Sequence, residues 1–238
     1  MTRFGKTILA YVIALHVLCT VMLFESNFIT NLRISGATSQ QPGTALNYYN
    51  RLVEYHLRMD SSIPDGATIF IGDSITQSLA TSAVSDLSVN YGIGSDTTVG
   101  VLKRLTLYES INIAKAVVLA IGINDLKQSD NDEVLGNYKK ILNLLSKKQF
   151  IIVSAIMPVD ERVVHTASVT NERIDEINSE IGLLVDTYEN VYFVNSGILL
   201  KNRDGNLKAE FHVGDGVHIN AAGYQVWIRL LREVLGNT

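Results

Sequence analysis

The chain is poor in cysteine, proline and charge. It has one cysteine, Cys19, among 238 residues, so it can form neither an intramolecular disulfide nor a cysteine cluster that would hold zinc. Only 3 prolines accompany 17 glycines, and 47% of the residues are hydrophobic, which excludes collagen-like and disordered chains. With 20 Lys and Arg against 24 Asp and Glu, and no run of five basic residues, nucleic acid is not an expected partner. The composition predicts one folded domain.

The amino-terminal segment lacks charge over an unusual length. Arg3 and Lys6 precede residues 8–24, which contain no Asp, Glu, Lys or Arg. As a helix this segment spans roughly 26 Å, close to the roughly 30 Å hydrocarbon core of a bilayer. No small-residue cleavage site follows it directly, and Cys19 does not stand behind a small residue as a lipid-modified cysteine would. We therefore expect an uncleaved transmembrane anchor in residues 1–24.

The charges beside this segment predict its orientation. The positive-inside rule places the amino terminus in the cytoplasm and the rest of the chain outside the membrane. If the segment is cleaved, the rest of the chain is expected to be secreted. Residues 25–43 are small and polar, as is typical of a linker, and the globular domain is expected over 44–238. Beyond the anchor, 18 Lys and Arg face 24 Asp and Glu, so we expect membrane contact only through the helix.

Short apolar segments then alternate with longer segments of helical periodicity. This alternation predicts a parallel sheet covered by helices on both faces, an α/β fold, because parallel strands require helical crossovers. Five strands are predicted, over Ala67–Ile71, Val89–Ile93, Ala116–Ile121, Phe150–Ile156 and Val191–Val194, and four helices, over Thr97–Leu107, Asn131–Leu145, Asn171–Tyr188 and Asn220–Leu235. Ligands bind such sheets at the carboxyl ends of the strands, so residues there are the candidates for chemistry.

A serine and an asparagine follow two of these strands, and an aspartate and a histidine precede the last helix. Ser74, in a Gly-Asp-Ser turn after the first strand, is a candidate nucleophile or, taken alone, a helix N-cap. Asn124, after the third strand, has an amide that can donate to an oxyanion, or forms an Asx turn. Asp215 and His218 can form the carboxylate–imidazole pair that activates a serine. The occurrence of all these groups in order is the strongest signal in the sequence.

The loop after the second strand resembles a nucleotide-binding loop only superficially. It reads Gly-Ile-Gly-Ser-Asp-Thr from Gly92, so Thr97 stands where a G-x-G-x-x-G fingerprint requires glycine. The sequence has no Gly-Lys-Ser/Thr of a P-loop either. We expect this loop to present backbone N–H groups to a ligand.

With these blocks the chain resembles the SGNH/GDSL hydrolases, or GDSL-like lipases and acylhydrolases, over about residues 65–235. The resemblance implies a three-layer α/β/α flavodoxin-like fold, with Ser74 as nucleophile, Asp215 and His218 as its partners and Asn124 as an oxyanion donor. It implies no metal or other cofactor. Asn-Tyr-Gly-Ile-Gly at 90–94 and Val-Leu-Lys-Arg-Leu at 101–105 are similar to the branch that contains platelet-activating-factor acetylhydrolase subunits, which suggests short acyl groups.

One position departs from the family's pattern. The second block usually has a glycine before the aspartate, with its N–H in the oxyanion hole, whereas here Ser95 precedes Asp96. The N–H of Ser95 is expected to act with that of Ser74, provided that Ser95 has a negative φ, and Gly94 is the alternative donor. The Ser95 side chain is expected to narrow the acyl site.

The expected activity is hydrolysis of a short-chain ester, acetyl above all, by a serine esterase. A location outside the membrane favours O-acetylated glycans or other envelope esters, with lysophospholipids and thioesters as alternatives. A metal-dependent hydrolase is a rival, because His212, Asp215 and His218 are evenly spaced and Asp73 and Asn124 supply oxygens. A catalytically degenerate carbohydrate-binding module is a third alternative. The loop over 158–170 is expected to border the pocket.

Overall fold

Five parallel strands form one sheet. They are β1 (Thr68–Gly72), β2 (Ser88–Gly92), β3 (Ala116–Ala120), β4 (Phe150–Ser154) and β5 (Val191–Val194), in the order β2-β1-β3-β4-β5. All pairs are parallel, and Gly72, the last residue of β1, lies opposite Gly92 on one side and Ala120 on the other. The predicted five-stranded parallel sheet is therefore confirmed. The chain moves to opposite sides of β1 for β2 and β3, so a crevice opens at the carboxyl end of β1.

The computed structural model describes residues 12, 15–17, 42–145 and 149–236. The chain divides into two units, Met1–Tyr48 and Tyr49–Thr238, and the second contains the sheet. The helices are α1 (Pro42–Asp60), α2 (Ser74–Gln77), α3 (Thr98–Leu105), α4 (Asn131–Leu145), α5 (Asn171–Val185), α6 (Gly197–Leu200) and α7 (Ala221–Gly236). The four predicted helices correspond to α3, α4, α5 and α7, with ends that differ by a few residues.

The core lies on both faces of the sheet. Alternate side chains of a strand point to opposite faces, so Ile69 and Ile71 of β1 belong to one core cluster and Phe70 to the other. The first cluster includes Tyr138 of α4 and the second Trp227 of α7, each fully buried. The predicted three-layer α/β/α arrangement is therefore confirmed.

Helix α1 was not predicted from the sequence. Its buried positions include His56 and Asp60, each 5% exposed, so the helix shows no apolar periodicity. The polar sequence around His56 suggested a solvated side chain, but burial, with Arg104 nearby, lowers the pKa of His56 to about 4. Asp60 accepts hydrogen bonds from the hydroxyl groups of Tyr91 and Ser110, at 2.9 and 2.5 Å. The buried face of this helix carries a histidine, whose ring lies 4.9 Å from that of Tyr91, and an aspartate, and for that reason apolar spacing did not reveal the helix.

The predicted transmembrane helix is not supported by the structure. Apart from residues 12 and 15–17, which are helical, the segment 8–24 lies outside the described residues. None of the helices in the described part of the chain has the length and apolar character needed to cross a membrane. Of the predicted linker over 25–43, residues 42 and 43 belong to α1, and the rest lies outside the described residues.

A buried ion pair joins the loops at the carboxyl edge of the sheet. The Arg104 Nε donates to Asp96 Oδ2 at 2.8 Å, and both side chains are 1% exposed. The Arg104 Nη2 donates to the carbonyl oxygen of Gly72 at 3.2 Å, so α3 holds the end of β1 as well. Removal of one partner would leave the other charge buried without compensation, which is far more costly than the loss of a surface pair.

We expect Arg104→Gln to lower the free energy of unfolding by about 3–5 kcal/mol, because Asp96 would keep its burial and lose its counter-ion. Denaturant unfolding of the full chain measures this change. Arg58→Gln is the matched control, since Arg58 pairs with Glu54 at 3.6 Å with side chains 71% and 61% exposed, and should change stability by about 0.5 kcal/mol or less. Equal effects of the two substitutions would contradict this account of the buried pair.

Candidate active site

The turn after β1 presents Ser74 at the start of α2. A side chain at Gly72 would lie 2.0 Å from the carbonyl oxygen of Ala120, so the turn requires glycine there. Asp73 is the N-cap of α2, and its Oδ1 accepts the N–H of Ile75 at 2.9 Å. The alternative of Ser74 as the N-cap is therefore wrong, and its hydroxyl is free for other contacts.

Ser74, His218 and Asp215 form one continuous chain of contacts. The Ser74 Oγ lies 2.9 Å from His218 Nε2, and His218 Nδ1 lies 2.5 Å from Asp215 Oδ2. Ser74 and His218 are 144 positions apart in sequence, and only the fold brings them together. An imidazole bonded in this way can take a proton from the serine while the carboxylate stabilises the resulting cation.

Asp215 is oriented by its own loop. Its Oδ1 accepts the N–H groups of Val217 and His218 at 3.0 and 2.9 Å, which leaves Oδ2 for the imidazole. Partial burial raises the pKa of Asp215, but the hydrogen bonds from Val217 and His218 outweigh that effect and hold the pKa below its usual value. The carboxylate is therefore ionised at neutral pH, as a partner of an imidazolium must be.

Asn124 is held beside the loop that follows β2. Its Nδ2 donates to the carbonyl oxygen of Asp96 at 3.0 Å, and its Oδ1 accepts from Lys127 Nζ at 3.3 Å. The side chain does not cap the turn that it begins, so the Asx-turn alternative is wrong. These two contacts fix the orientation of the amide, and the second hydrogen on Nδ2 is available to a ligand.

Asp125 fixes the same region from the other side. Its carboxylate accepts the N–H of Thr98 at 3.0 and 3.1 Å and the Thr98 hydroxyl at 2.5 Å. Thr98 begins α3, so the turn after β3 is bound to the helix that follows β2. Asn124 is therefore flanked by two loops that are bound to each other, in addition to its own contacts with Asp96 and Lys127.

The loop after β2 differs from the expectation in one respect. Ser95 was expected to have a negative φ. Its φ is instead 65°, in the left-handed region that favours glycine, so that expectation was wrong. A side chain costs about 1–2 kcal/mol in that conformation. The N–H of Gly94 already donates to Gln77 Oε1 at 2.6 Å. Among the described residues, the N–H groups of Ser74 and Ser95 have no hydrogen-bond partner, so both can receive an oxyanion.

The evenly spaced His212, Asp215 and His218 do not meet as metal ligands. His212 lies behind the loop, where its Nδ1 accepts the N–H groups of Gly214 and Gly216. Over the described part of the chain, no three His, Cys, Asp or Glu side chains converge as a metal site would require. The loop over 158–170 contacts the loop that carries Asp215 and His218, since Asp160 donates its N–H to the carbonyl oxygen of Gly216 at 2.8 Å.

Several positioning contacts had no signal in the sequence. Gln77 binds the N–H of Gly94 across 17 positions, and Arg104 binds the carbonyl oxygen of Gly72 across 32. Both contacts use the backbone as a partner, and no side-chain motif marks a backbone group. They become visible only when the strand ends are placed next to each other.

Comparisons with known proteins give the family. The model of the GDSL-like Lipase/Acylhydrolase family matches residues 70–226. The platelet-activating factor acetylhydrolase IB subunit alpha1 of Rattus norvegicus is 26% identical over 206 residues, 82% of this chain and 84% of that protein. A structure from Streptococcus pneumonia, described as a platelet activating factor, is 27% identical with a TM-score of 0.75, over 81% of this chain and 95% of that one. The acetylxylan esterase Axe2 of Geobacillus stearothermophilus shares the fold, at 21% identity and a TM-score of 0.57, over 73% of this chain and 96% of its own.

The chain belongs to the GDSL-like lipase/acylhydrolase family and is an ester-hydrolysing enzyme. This agrees with the family resemblance seen in its sequence blocks.

The buried carboxyl group of Asp73, directly before Ser74, has a raised pKa that can be tested through the pH dependence of stability. Its side chain is 3% exposed and borders a small cavity lined by apolar residues such as Ile121 and Trp227. Burial raises the pKa of Asp73 to about 7, against the opposing hydrogen bond from Ile75, and the carboxylates of Asp96 and Asp125 add to the rise. Between about pH 4 and about pH 7, Asp73 therefore keeps its proton in the folded chain, whereas in the unfolded chain the same carboxyl group is ionised.

We therefore expect wild type to lose stability relative to Asp73→Asn as the pH rises through that window. Asparagine keeps an oxygen for the N–H of Ile75 and has no charge to bury. Denaturant unfolding at about pH 5 and about pH 8 measures the free energy of unfolding of both chains. The variant should be the more stable of the two only at the higher pH. Parallel pH profiles of the two chains would show that Asp73 does not titrate in this way.

Proposed function

We propose that the chain is a serine esterase that removes short acyl groups, acetyl above all, from a glycan or another bulky alcohol. The observation that carries the proposal is the continuous chain of contacts from Asp215 through His218 to Ser74, at 2.5 and 2.9 Å. The names of the relatives support the acyl group, since one is a platelet-activating factor acetylhydrolase subunit and a fold neighbour is an acetylxylan esterase.

The proposed reaction proceeds through an acyl-enzyme. His218 Nε2 takes the proton of Ser74 as Oγ attacks the ester carbonyl, and the tetrahedral intermediate collapses when His218 returns the proton to the leaving alcohol. Water, deprotonated by His218, then attacks the acyl group and frees Ser74. Asp215 stays ionised throughout and stabilises the imidazolium in both halves.

Three donors would bind the oxyanion. They are the N–H groups of Ser74 and Ser95 and the Nδ2 of Asn124. The support for Ser95 over Gly94 is that the Gly94 N–H is bound to Gln77. The support for Asn124 is its fixed amide, whose oxygen is turned to Lys127 and whose nitrogen keeps one free hydrogen. Donors held in advance need no reorganisation when charge develops.

The exposure of the site supports a bulky alcohol. The side chains of His218 and Asp215 are 46% and 44% exposed, so the leaving-group side is open to solvent. An open side admits an alcohol of any size, while a small acyl group need only fit beside Ser95. Acetylated glycans are compatible with this pattern, and lysophospholipids and thioesters are the alternatives that a substrate screen would separate.

We also propose that the enzyme works outside the cytoplasmic membrane, held by the uncharged segment over 8–24, where such glycans occur. Protease added to intact cells that express the full chain would then digest the domain. Digestion only after the cells are ruptured would contradict this location.

The test of the reaction is hydrolysis of p-nitrophenyl acetate by the full chain, with and without EDTA. We expect turnover that resists EDTA and disappears in Ser74→Ala, because that variant lacks the nucleophile. Ser179→Ala, at an exposed serine of α5, is the matched control and should keep wild-type turnover. Turnover lost to EDTA would favour a metal-dependent hydrolase. Binding of acetylated glycan without turnover would favour a carbohydrate-binding module.

The same assay tests the oxyanion donors. Asn124→Ala should lower kcat about 10²- to 10³-fold, the usual effect of removing one such donor. Asn143→Ala, at an exposed asparagine that accepts from the Tyr188 hydroxyl, controls for loss of an amide elsewhere. Wild-type turnover in a folded Asn124→Ala chain would remove Asn124 from the mechanism.

A further inference from the structure

A second histidine–carboxylate pair lies behind the loop that carries Asp215 and His218. We define the catalytic loop as residues 212–219, which His212 and Ile219 close by an antiparallel bridge and Val213 by an N–H donated to the carbonyl oxygen of His218 at 2.9 Å. The His212 residue is only 8% exposed. Its imidazole therefore belongs to the interior of the loop and is shielded from solvent.

The imidazole of His212 binds the backbone on both sides of Asp215. Its Nδ1 accepts the N–H of Gly214 at 3.0 Å and that of Gly216 at 3.2 Å. A ring nitrogen that accepts N–H groups has no proton of its own, so the ring is neutral with its hydrogen on Nε2. One atom thus restrains the residues before and after the carboxylate that orients His218.

The opposite edge of the ring faces a fixed carboxylate. His212 Nε2 lies 3.5 Å from Asp160 Oδ2, and Asp160 is bound by Arg162 through Nε at 2.8 Å and Nη2 at 2.7 Å. The hydrogen bonds from Arg162 lower the pKa of Asp160 to about 2, so the carboxylate is ionised. At 3.5 Å this contact is no hydrogen bond, so the tautomer rests on the two N–H groups that Nδ1 accepts, and the negative charge of Asp160 favours a hydrogen on the Nε2 side.

The two glycines explain why the loop needs such a restraint. Gly214 and Gly216 have φ values of 107° and 75°, which residues with side chains rarely adopt. A side chain at Gly216 would also meet the carbonyl oxygen of Asp160 and the side chains of Val163 and Val164 at 3.0 Å. Glycine gives the backbone freedom on either side of Asp215, and the imidazole restrains both glycines together, beside the N–H of Asp160 that binds the carbonyl oxygen of Gly216 at 2.8 Å.

We infer that His212 is a positioning residue for the proposed esterase: as a neutral acceptor it fixes Gly214 and Gly216, and through them holds Asp215 and His218 in line with Ser74. The inference rests on the proposed function, because it concerns the same loop. His212 touches none of the reacting atoms. Its effect reaches the reaction only through the place of the general base and its carboxylate, where a displacement of about 1 Å can cost about 10²-fold in rate.

Substitutions at His212 separate the acceptor from the bulk of the ring. His212→Leu fills space without an acceptor, and we expect kcat to fall about 10- to 100-fold with KM changed less than about threefold. His212→Asn places an oxygen at the position of Nδ1 and should recover most of the lost kcat, whereas His212→Gln places its polar atoms beyond that position and should not. His165→Leu, at an exposed histidine of the loop over 158–170, is the matched control.

Two NMR measurements on the full chain keep the test independent of turnover. The proton between His218 Nδ1 and Asp215 should give a far-downfield resonance in wild type and in His212→Asn, and lose it in His212→Leu. The ring nitrogen shifts of His212 in wild type should show a bare Nδ1 and a protonated Nε2. This second measurement needs no variant, so it stands even if His212→Leu fails to fold.

The outcomes are distinct. A wild-type chain without esterase activity, but with the expected tautomer and resonances, would overturn the proposed function and leave the positioning role supported. A proton on His212 Nδ1, or a folded His212→Leu chain with wild-type kcat and the His218 resonance intact, would overturn the positioning role. Loss of kcat in His212→Leu with no rescue by His212→Asn would also overturn it, since any disturbance of the core would then explain the loss.

Discussion

The buried guanidinium of Arg104 is the contact on which the arrangement of the site depends. It binds Asp96, in the loop after β2, and the carbonyl oxygen of Gly72, directly before the turn that carries Ser74. The carbonyl oxygen of Asp96 in turn accepts the amide of Asn124, in the loop after β3. One planar group with several donors can satisfy such partners together, which a lysine in its place could not do. Arg104 thus links two of these loops directly, and the third joins them through the carbonyl oxygen of Asp96.

The two aspartates nearest the nucleophile have opposite electrostatic environments. Asp215 is partly exposed and bound by two N–H groups, which lower its pKa, while Asp73 is buried beside an apolar cavity, and burial raises its pKa to about 7. The carboxylate that would pair with an imidazolium therefore stays charged, and the one that caps α2 keeps its proton to a much higher pH. The same residue type serves two purposes because the surroundings, and not the side chain, decide its charge.

The sheet could be predicted from sequence because apolar strand segments follow local rules. The rule that ligands bind at the carboxyl ends of parallel strands singled out Ser74 and Asn124, and the order of the sequence blocks, with the family resemblance, added Asp215 and His218. The failures have a common physical cause. Helix α1 buries His56 and Asp60 on the face that contacts the domain, so apolar periodicity did not reveal it. The φ of Ser95 and the contact between Gly94 and Gln77 depend on how two loops meet, which one-dimensional patterns do not contain.

The catalytic loop shows how a loop with two glycines can still be rigid. Glycines on both sides of Asp215 permit a turn that residues with side chains rarely adopt, and a buried imidazole then contributes a restraint that side-chain packing supplies elsewhere. In this loop Gly214 and Gly216 allow the turn, and His212 restrains it. The imidazole that restrains it is buried, whereas the side chain of Val213 in the same loop is exposed.

The exposure of His218 also bears on the fate of the acyl group. With its side chain 46% exposed, the base that activates the second nucleophile faces bulk water. Acyl transfer to another alcohol requires that alcohol to displace water at this position, and an open site offers it no shelter in which to accumulate. In the proposed mechanism the acyl-enzyme would therefore partition toward release of free acid, and transferase behaviour would require an added wall that holds an acceptor over His218.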